Sequence, residues 1–207
     1  MPKLVLIDSG LNPRHPHLAE LARVEWGDVG AGSPIDVLGH GTCVAAAIVE
    51  HVSGLELLSI KIFGTSLSCP IGRVSDALDA ALSWRPDVVN LSFGTTSLTA
   101  AARLETGVRS LLDAGIRVVA PALAHSLPAY PGLQRGVDGV VANPSLERGK
   151  IDVVGEGGRC LWSASPYPRG LKDLEPHRNL RGESLATAAV TAAILNGELP
   201  MLEHAAQ

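Results

Sequence analysis

The sequence has no stretch approaching the roughly 18 to 20 consecutive apolar residues that a membrane-spanning helix requires, so no transmembrane segment is expected. Its N-terminus is similarly short of hydrophobic length. Only Leu4 to Ile7 form an apolar run before Asp8, too little for the core of a secretory signal. Cysteine is scarce and odd in number, with Cys43, Cys69 and Cys160 and no pair at C-x-x-C metal or redox spacing. The thiols read as reduced and mostly buried, and a cytoplasmic location is the expectation. Neither sign of charge dominates: 17 basic against 21 acidic residues give a net charge of −4, without a long run of either. That balance excludes the electrostatic footprint of a nucleic-acid or membrane-surface binder. There is no internal repeat, no low-complexity tract and no acidic cluster resembling a calcium loop. No metal or cofactor is expected.

What the sequence does have is enough apolar material for a core. With 207 residues, 46% of them hydrophobic, one domain spanning 1–207 is expected. Short apolar runs at Leu4 to Ile7, Leu55 to Ile62, Asp87 to Leu91, Ile116 to Ala120 and Gly139 to Ala142 predict strands buried on both faces. Helical patterns lie between most of them. Val74, Ala77, Leu78, Ala81 and Leu82 share one face of a helix reaching about Trp84. Ala101, Leu104, Val108, Leu111 and Leu112 do the same for a helix over Leu98 to Ala114 that stops at Gly115. Strands alternating with helices predict a doubly wound α/β fold, a mostly parallel sheet with helices on both faces. Chemistry in such sheets collects at the carboxyl ends of the strands. Ser165 to Arg181, with three prolines and five basic residues, is the most loop-like region and leads directly to Ser184.

Three polar residues stand at element ends. Asp8 follows the first strand, His40 begins a helix in DVLGHGTCVAAAIVEHV between two glycines, and Ser184 opens another in GESLATAAVTAAIL. Glycines beside a histidine allow close approach of backbone or substrate. Each residue also has an ordinary reading: Asp8 as a turn former, His40 as a cap, Ser184 as a helix N-cap. A serine hydroxyl becomes nucleophilic when an imidazole takes its proton and a carboxylate orients that imidazole. The order Asp, His, Ser is one of the known triad orders.

On these residues the chain resembles the subtilisin-like serine peptidases. The blocks are LVLIDSGLNPRHPHL around Asp8, DVLGHGTCVAAAI around His40, PDVVNLSFG ending at Gly94, and GESLATAAVTAA around Ser184, with LLSIKIFG and YPGLQRGVDGVVA between them in family order. The resemblance implies a three-layer subtilisin-like fold, shortened at its C-terminus and without a pro-segment. It implies a triad of Asp8, His40 and Ser184, and an edge at Ser92, Phe93 and Gly94 along which an extended peptide lies.

The pattern breaks where the oxyanion is held. In RVVAPALAHS, Pro121, Ala122 and Leu123 replace a small-residue wall of the substrate pocket, and Ala124 stands where the family has asparagine. His125 is the nearest candidate donor and Asn143 a remoter one; the backbone N–H of Ser184 is the other expected donor. Leu123 would narrow the pocket for the residue before the scissile bond. Glu183 replaces a family threonine. It is expected to favour the helix dipole, although a carboxylate there would oppose charge on the oxyanion. Ala46 and Ala188 replace a family glycine and proline. His15 and His17 form an H-x-H pair that matches a family turn, with metal binding as the alternative. Cys43 could be taken for a nucleophile and Asp36 for a triad acid, but a buried thiol and a loop carboxylate are the plainer readings. The expected function is a serine endopeptidase acting on a peptide or precursor peptide. The alternatives are a ligase or cyclase using the same acyl-enzyme, and a binder of extended peptides without chemistry.

Overall fold

The computed structural model describes residues 1–156, 159–170 and 178–202; residues 171–177 of the loop-like region predicted at Ser165 to Arg181 lie outside them. The chain runs β1 (Lys3–Asp8), β2 (Arg23–Gly27), α1 (His40–Val49), β3 (Glu56–Lys61), α2 (Ile71–Trp84), β4 (Val88–Leu91), α3 (Leu98–Asp113), β5 (Arg117–Pro121), β6 (Leu123–Ala124), β7 (Leu127–Pro128), β8 (Asp138–Ala142), β9 (Ile151–Glu156), β10 (Arg159–Ala164) and α4 (Glu183–Leu195). Eight strands form one sheet in the order β2-β3-β1-β4-β5-β8-β10-β9. Adjacent strands are parallel throughout except for the antiparallel β9–β10 pair.

Successive strand side chains point to opposite faces, so an uninterrupted apolar run feeds two cores at once. In β1, Leu4 and Leu6 join a cluster with Val44, Ile48, Ala188 and Val190 from α1 and α4. Val5 and Ile7 join Val74, Leu78, Leu104 and Val108 from α2 and α3 on the other face. The architecture is therefore the doubly wound, mostly parallel one that the alternation of patterns predicts.

Three strands escape that reading. β2 and β9 are the sheet edges, and β10 lies just inside β9. The edge sequences, RVEWG and IDVVGE, mix polar and apolar residues because an edge strand has less of its surface to bury; β10, RCLWSA, is buried from Leu161 onward, but Arg159 and Ser163 interrupt its apolar run. The segment after β5 also differs from expectation. It folds back as the β6–β7 hairpin, with Leu123 opposite Pro128 and Ala124 opposite Leu127. His125 and Ser126 make the turn at φ of 51° and 65°, a left-handed conformation that non-glycine residues seldom adopt.

Buried polar contacts join the helices to the sheet. The amide of Asn90, in β4, donates to the Thr191 hydroxyl of α4 at 2.8 Å and accepts from the Ser92 hydroxyl at 2.8 Å. Arg117 of β5 grips the carboxylate of Asp138 at the start of β8 through two nitrogens, at 2.9 and 2.7 Å, and the indole of Trp162 donates to the same carboxylate. All three cysteines are free and only half-buried, less enclosed than predicted. None of the described helices is long and apolar enough to cross a membrane.

Candidate active site

The strand ends of β1 and β4 and the first turns of α1 and α4 meet on one side of the sheet. Asp8 is the last residue of β1, not the residue after it, and is almost fully buried at 1% exposure. Its carboxylate bonds His40 Nδ1 at 2.8 and 3.0 Å. Gly41 makes this approach possible: a Cβ there would collide with the Gly10 carbonyl and crowd the Asp8 side chain. Burial pushes the His40 imidazole down, but the Asp8 hydrogen bond and the charges of Asp8 and Asp36 outweigh it, leaving His40 above its ordinary 6.5.

Asp36 is not a rival triad acid. It accepts from the Ser9 hydroxyl and the Leu38 and Gly39 N–H groups on one oxygen, and from both donors of Thr42 on the other. Burial would raise its pKa, yet these bonds hold it below the usual 3.8. It organises the loop before α1, while Gly39 and not His40 caps that helix. Cys43 is pushed up to about 11, first by burial and then by the charges of Asp8 and Asp36. Its thiol stays protonated, the opposite of what a nucleophile needs.

Ser184 is the second residue of α4 and does not cap it. The cap is Gly182, at φ 150° and ψ −172°, a conformation essentially reserved for glycine. His40 and Ser184 line one small cavity together with Cys43 and Leu180. The Ser184 hydroxyl donates to the Ser92 carbonyl at 3.1 Å, which ties the serine to the Ser92–Gly94 edge. That edge ends at Thr95, which exchanges two backbone hydrogen bonds with Tyr130. Phe93 stands edge-on to Phe63. In the first turn of α4 the Ser184 N–H has no intrahelical acceptor.

The oxyanion side is less complete. Ala124 has no side-chain donor, and His125 is exposed at the β6–β7 turn, outside the cavity of Ser184. Asn143 uses its side-chain oxygen to accept from the Ser145 N–H. Ala122 is buried, with its N–H on Val140 and its carbonyl on Ala129, and Leu123 is half-buried in the hairpin. The sequence pattern missed the role of Glu183. Its carboxylate accepts the Ala142 N–H from the end of β8 at 2.7 Å, and burial raises its pKa above the usual 4.5 although that bond opposes the rise. No local signal points to a contact spanning 41 residues. His15 and His17 stack edge to face at 5.0 Å, and no three metal-ligating side chains gather among the described residues.

The Subtilase family model matches residues 2–127, more than half of the chain. The chain is a member of the subtilase family. A search of curated proteins gives no match. Among solved structures, this subtilase resembles a cold adapted subtilisin-like serine proteinase at a TM-score of 0.69 and 19% identity, over 94% of this chain and 74% of that one. A lanthipeptide protease matches at a TM-score of 0.69 and 18% identity, over 94% and 72% of the two chains. A prenylagaramide maturation protease matches at 0.71 and 18%, over 97% and 79%. At these identities the likeness is one of fold. The family match ends before α4, so Ser184 lies outside it.

Proposed function

We propose that residues 1–207 are one catalytic domain of a serine endopeptidase that cleaves a peptide or precursor peptide through an acyl-enzyme. The observation that carries this reading is the Asp8–His40 hydrogen bond beside a cavity that His40 shares with Ser184. Ser184 Oγ would exchange its bond to the Ser92 carbonyl for one to His40 Nε2 by rotating about χ1. The oxygen then attacks the scissile carbonyl as His40 takes its proton, and His40 returns that proton to the amine as the C–N bond breaks. Water repeats the sequence on the resulting ester and frees Ser184. Asp8 holds the imidazole in the tautomer that presents Nε2. The Ser184 N–H is one oxyanion donor. The fold likeness to a lanthipeptide protease and a prenylagaramide maturation protease supports a precursor peptide as substrate.

Ala124 and the outward His125 favour a second reading, a binder that holds an extended peptide along Ser92, Phe93 and Gly94 without cutting it. One missing oxyanion donor costs about a hundred- to a thousandfold in rate, which slows an enzyme of this kind without abolishing it. A fluorophosphonate probe separates the two readings. An adduct mapped to Ser184, and lost in His40→Ala, is expected of the peptidase; a folded protein that takes up no probe would be the binder.

A further inference from the structure

Beside the catalytic cavity lies a larger one of about 250 Å³. The two share Cys43 and Leu180. The larger cavity is lined by residues after β1, by the start of α1, and by Arg169, Asn179 and Leu180. No residue of the Ser92–Gly94 edge lines it, and β1 stands on the side of β4 away from β5. If the part of a peptide that forms the acyl-enzyme lies along Ser92–Gly94, the part that leaves must exit across His40 toward this cavity.

Its chemistry is specific. His15, His17 and Arg169 all line it. His15 Nδ1 accepts the His17 backbone N–H at 3.3 Å, so a neutral His15 ring carries its proton on Nε2 and is a donor there. Asn179 holds the Arg169 backbone by donating to its carbonyl at 3.4 Å. Burial lowers the His17 pKa most, and Arg169 and His15 lower it further against a weaker opposite pull from Glu50, so His17 offers this cavity a neutral imidazole. Asp36 also lines the cavity and keeps its charge, with both oxygens engaged by neutral donors of Ser9, Leu38, Gly39 and Thr42, and Glu50 pairs with Arg148. A half-buried guanidinium that makes no ion pair among the described residues, in a cavity it lines together with two imidazoles, is complementary to an anion that arrives with the ligand.

We propose that this cavity is the leaving-side subsite of the enzyme and recognises a carboxylate carried by the departing peptide just after the cut. The inference rests on the reading of Ser184 as the attacking residue, and it names the substrate class: peptides with an acidic group immediately following the scissile bond. That group is an aspartate or glutamate side chain, or the terminal carboxylate of a short leaving segment.

Binding of product-like peptides tests this without requiring turnover. The ¹⁵N-labelled protein is titrated with aspartyl-alanyl-alanine amide, asparaginyl-alanyl-alanine amide, trialanine and trialanine amide, following the backbone signals of Thr42, Cys43 and Arg169. The aspartyl peptide is expected to shift these signals saturably and to bind about tenfold more tightly than the asparaginyl one, the scale of a charge-assisted hydrogen bond. Arg169→Gln is expected to erase that difference. Trialanine matching the aspartyl peptide would identify the terminal carboxylate as the recognised group, and a weak response to it would identify the side chain. Equal binding of the acidic and amide peptides by the wild-type protein, or no response at these residues, would overturn the proposal whether or not the variant folds. Saturable binding in a protein that never labels at Ser184 would keep the carboxylate site and discard the peptidase reading. Labelling at Ser184, with cleavage of a peptide library that shows no acidic preference after the cut, would do the reverse.

Discussion

The two halves of the candidate site are organised to different degrees. The acid–base half, Asp8 and His40, is built on a central strand and a helix start, with the carboxylate almost fully buried and the imidazole bonded to it at 2.8 Å. The half that would receive the substrate carbonyl is looser. Ser184 bonds a backbone carbonyl instead of the imidazole, and the segment expected to supply an oxyanion donor turns away as a hairpin. A proton relay needs two fixed atoms, and a strand end packed against a helix start, brought close by Gly41, provides that. An oxyanion site needs donors converging on a point that holds no atom until substrate arrives, so loop shape governs it.

The largest effects should come from the residues that move the proton. Ser184→Ala and His40→Ala are each expected to abolish probe labelling and to cut turnover by about a millionfold, the scale known for members of such a triad. Wild-type turnover in Ser184→Ala would mean that the chemistry belongs elsewhere. Asp8→Asn should cost less, about ten-thousandfold, because the base remains but its tautomer and orientation are wrong. The same variant sharpens the comparison through pH. His40 must be neutral to act as base, so activity rises with pH through its pKa, which lies above 6.5 in the wild type because Asp8 and Asp36 outweigh burial. Removing the Asp8 charge should move that rising limb downward; an unmoved limb would show that His40 is not the titrating base.

The same contrast governs what could be read before the fold was known. Asp8 and His40 are legible because one follows a buried apolar run and the other opens a glycine-flanked helix, both features of a few neighbouring residues. Ser184 is legible as a helix-start residue but not as the second residue behind a glycine cap, since Gly182 and Ser184 are both good cap residues by type. The β6–β7 turn is hidden because His125 and Ser126 adopt left-handed conformations without glycine or asparagine. The edge strands β2 and β9 are hidden because half-exposed strands lack a continuous apolar run. Arg169 carries no local signal at all, and only the fold brings it to the cavity that His15 lines.

A smaller effect is expected at the tie between α4 and β4. Asn90→Ala removes the bonds to Thr191 and Ser92 and leaves their buried hydroxyls without these partners. The cost should be about 1 to 3 kcal/mol, measured as a lower denaturant midpoint at unchanged slope. Probe labelling should slow as well, because the first turn of α4 carries Ser184; stability lost with labelling intact would mean that the looser half does not depend on this tie.

The smallest effect belongs to Glu183, where the loose half meets β8. Burial raises its pKa above 4.5, with the Ala142 N–H opposing. The folded state therefore holds this proton to higher pH than the unfolded chain does. Stability from the protonated form is fully present below the unfolded value and is lost as pH rises through the folded one. Glu183→Gln keeps an oxygen to accept from Ala142 but has no proton to lose. Its stability relative to wild type should increase as pH rises from about 4.5 and level off once the wild-type carboxyl is ionised, a trend that paired thermal melts across pH will follow. In catalysis the ionised carboxylate beside Ser184 opposes the developing oxyanion, so Glu183→Gln should label faster at neutral pH, by less than about tenfold for a single half-exposed charge. Slower labelling would mean that the ionised carboxylate positions the first turn of α4 more than it repels the oxyanion, and that the looser half is held together from β8 as well as from β4.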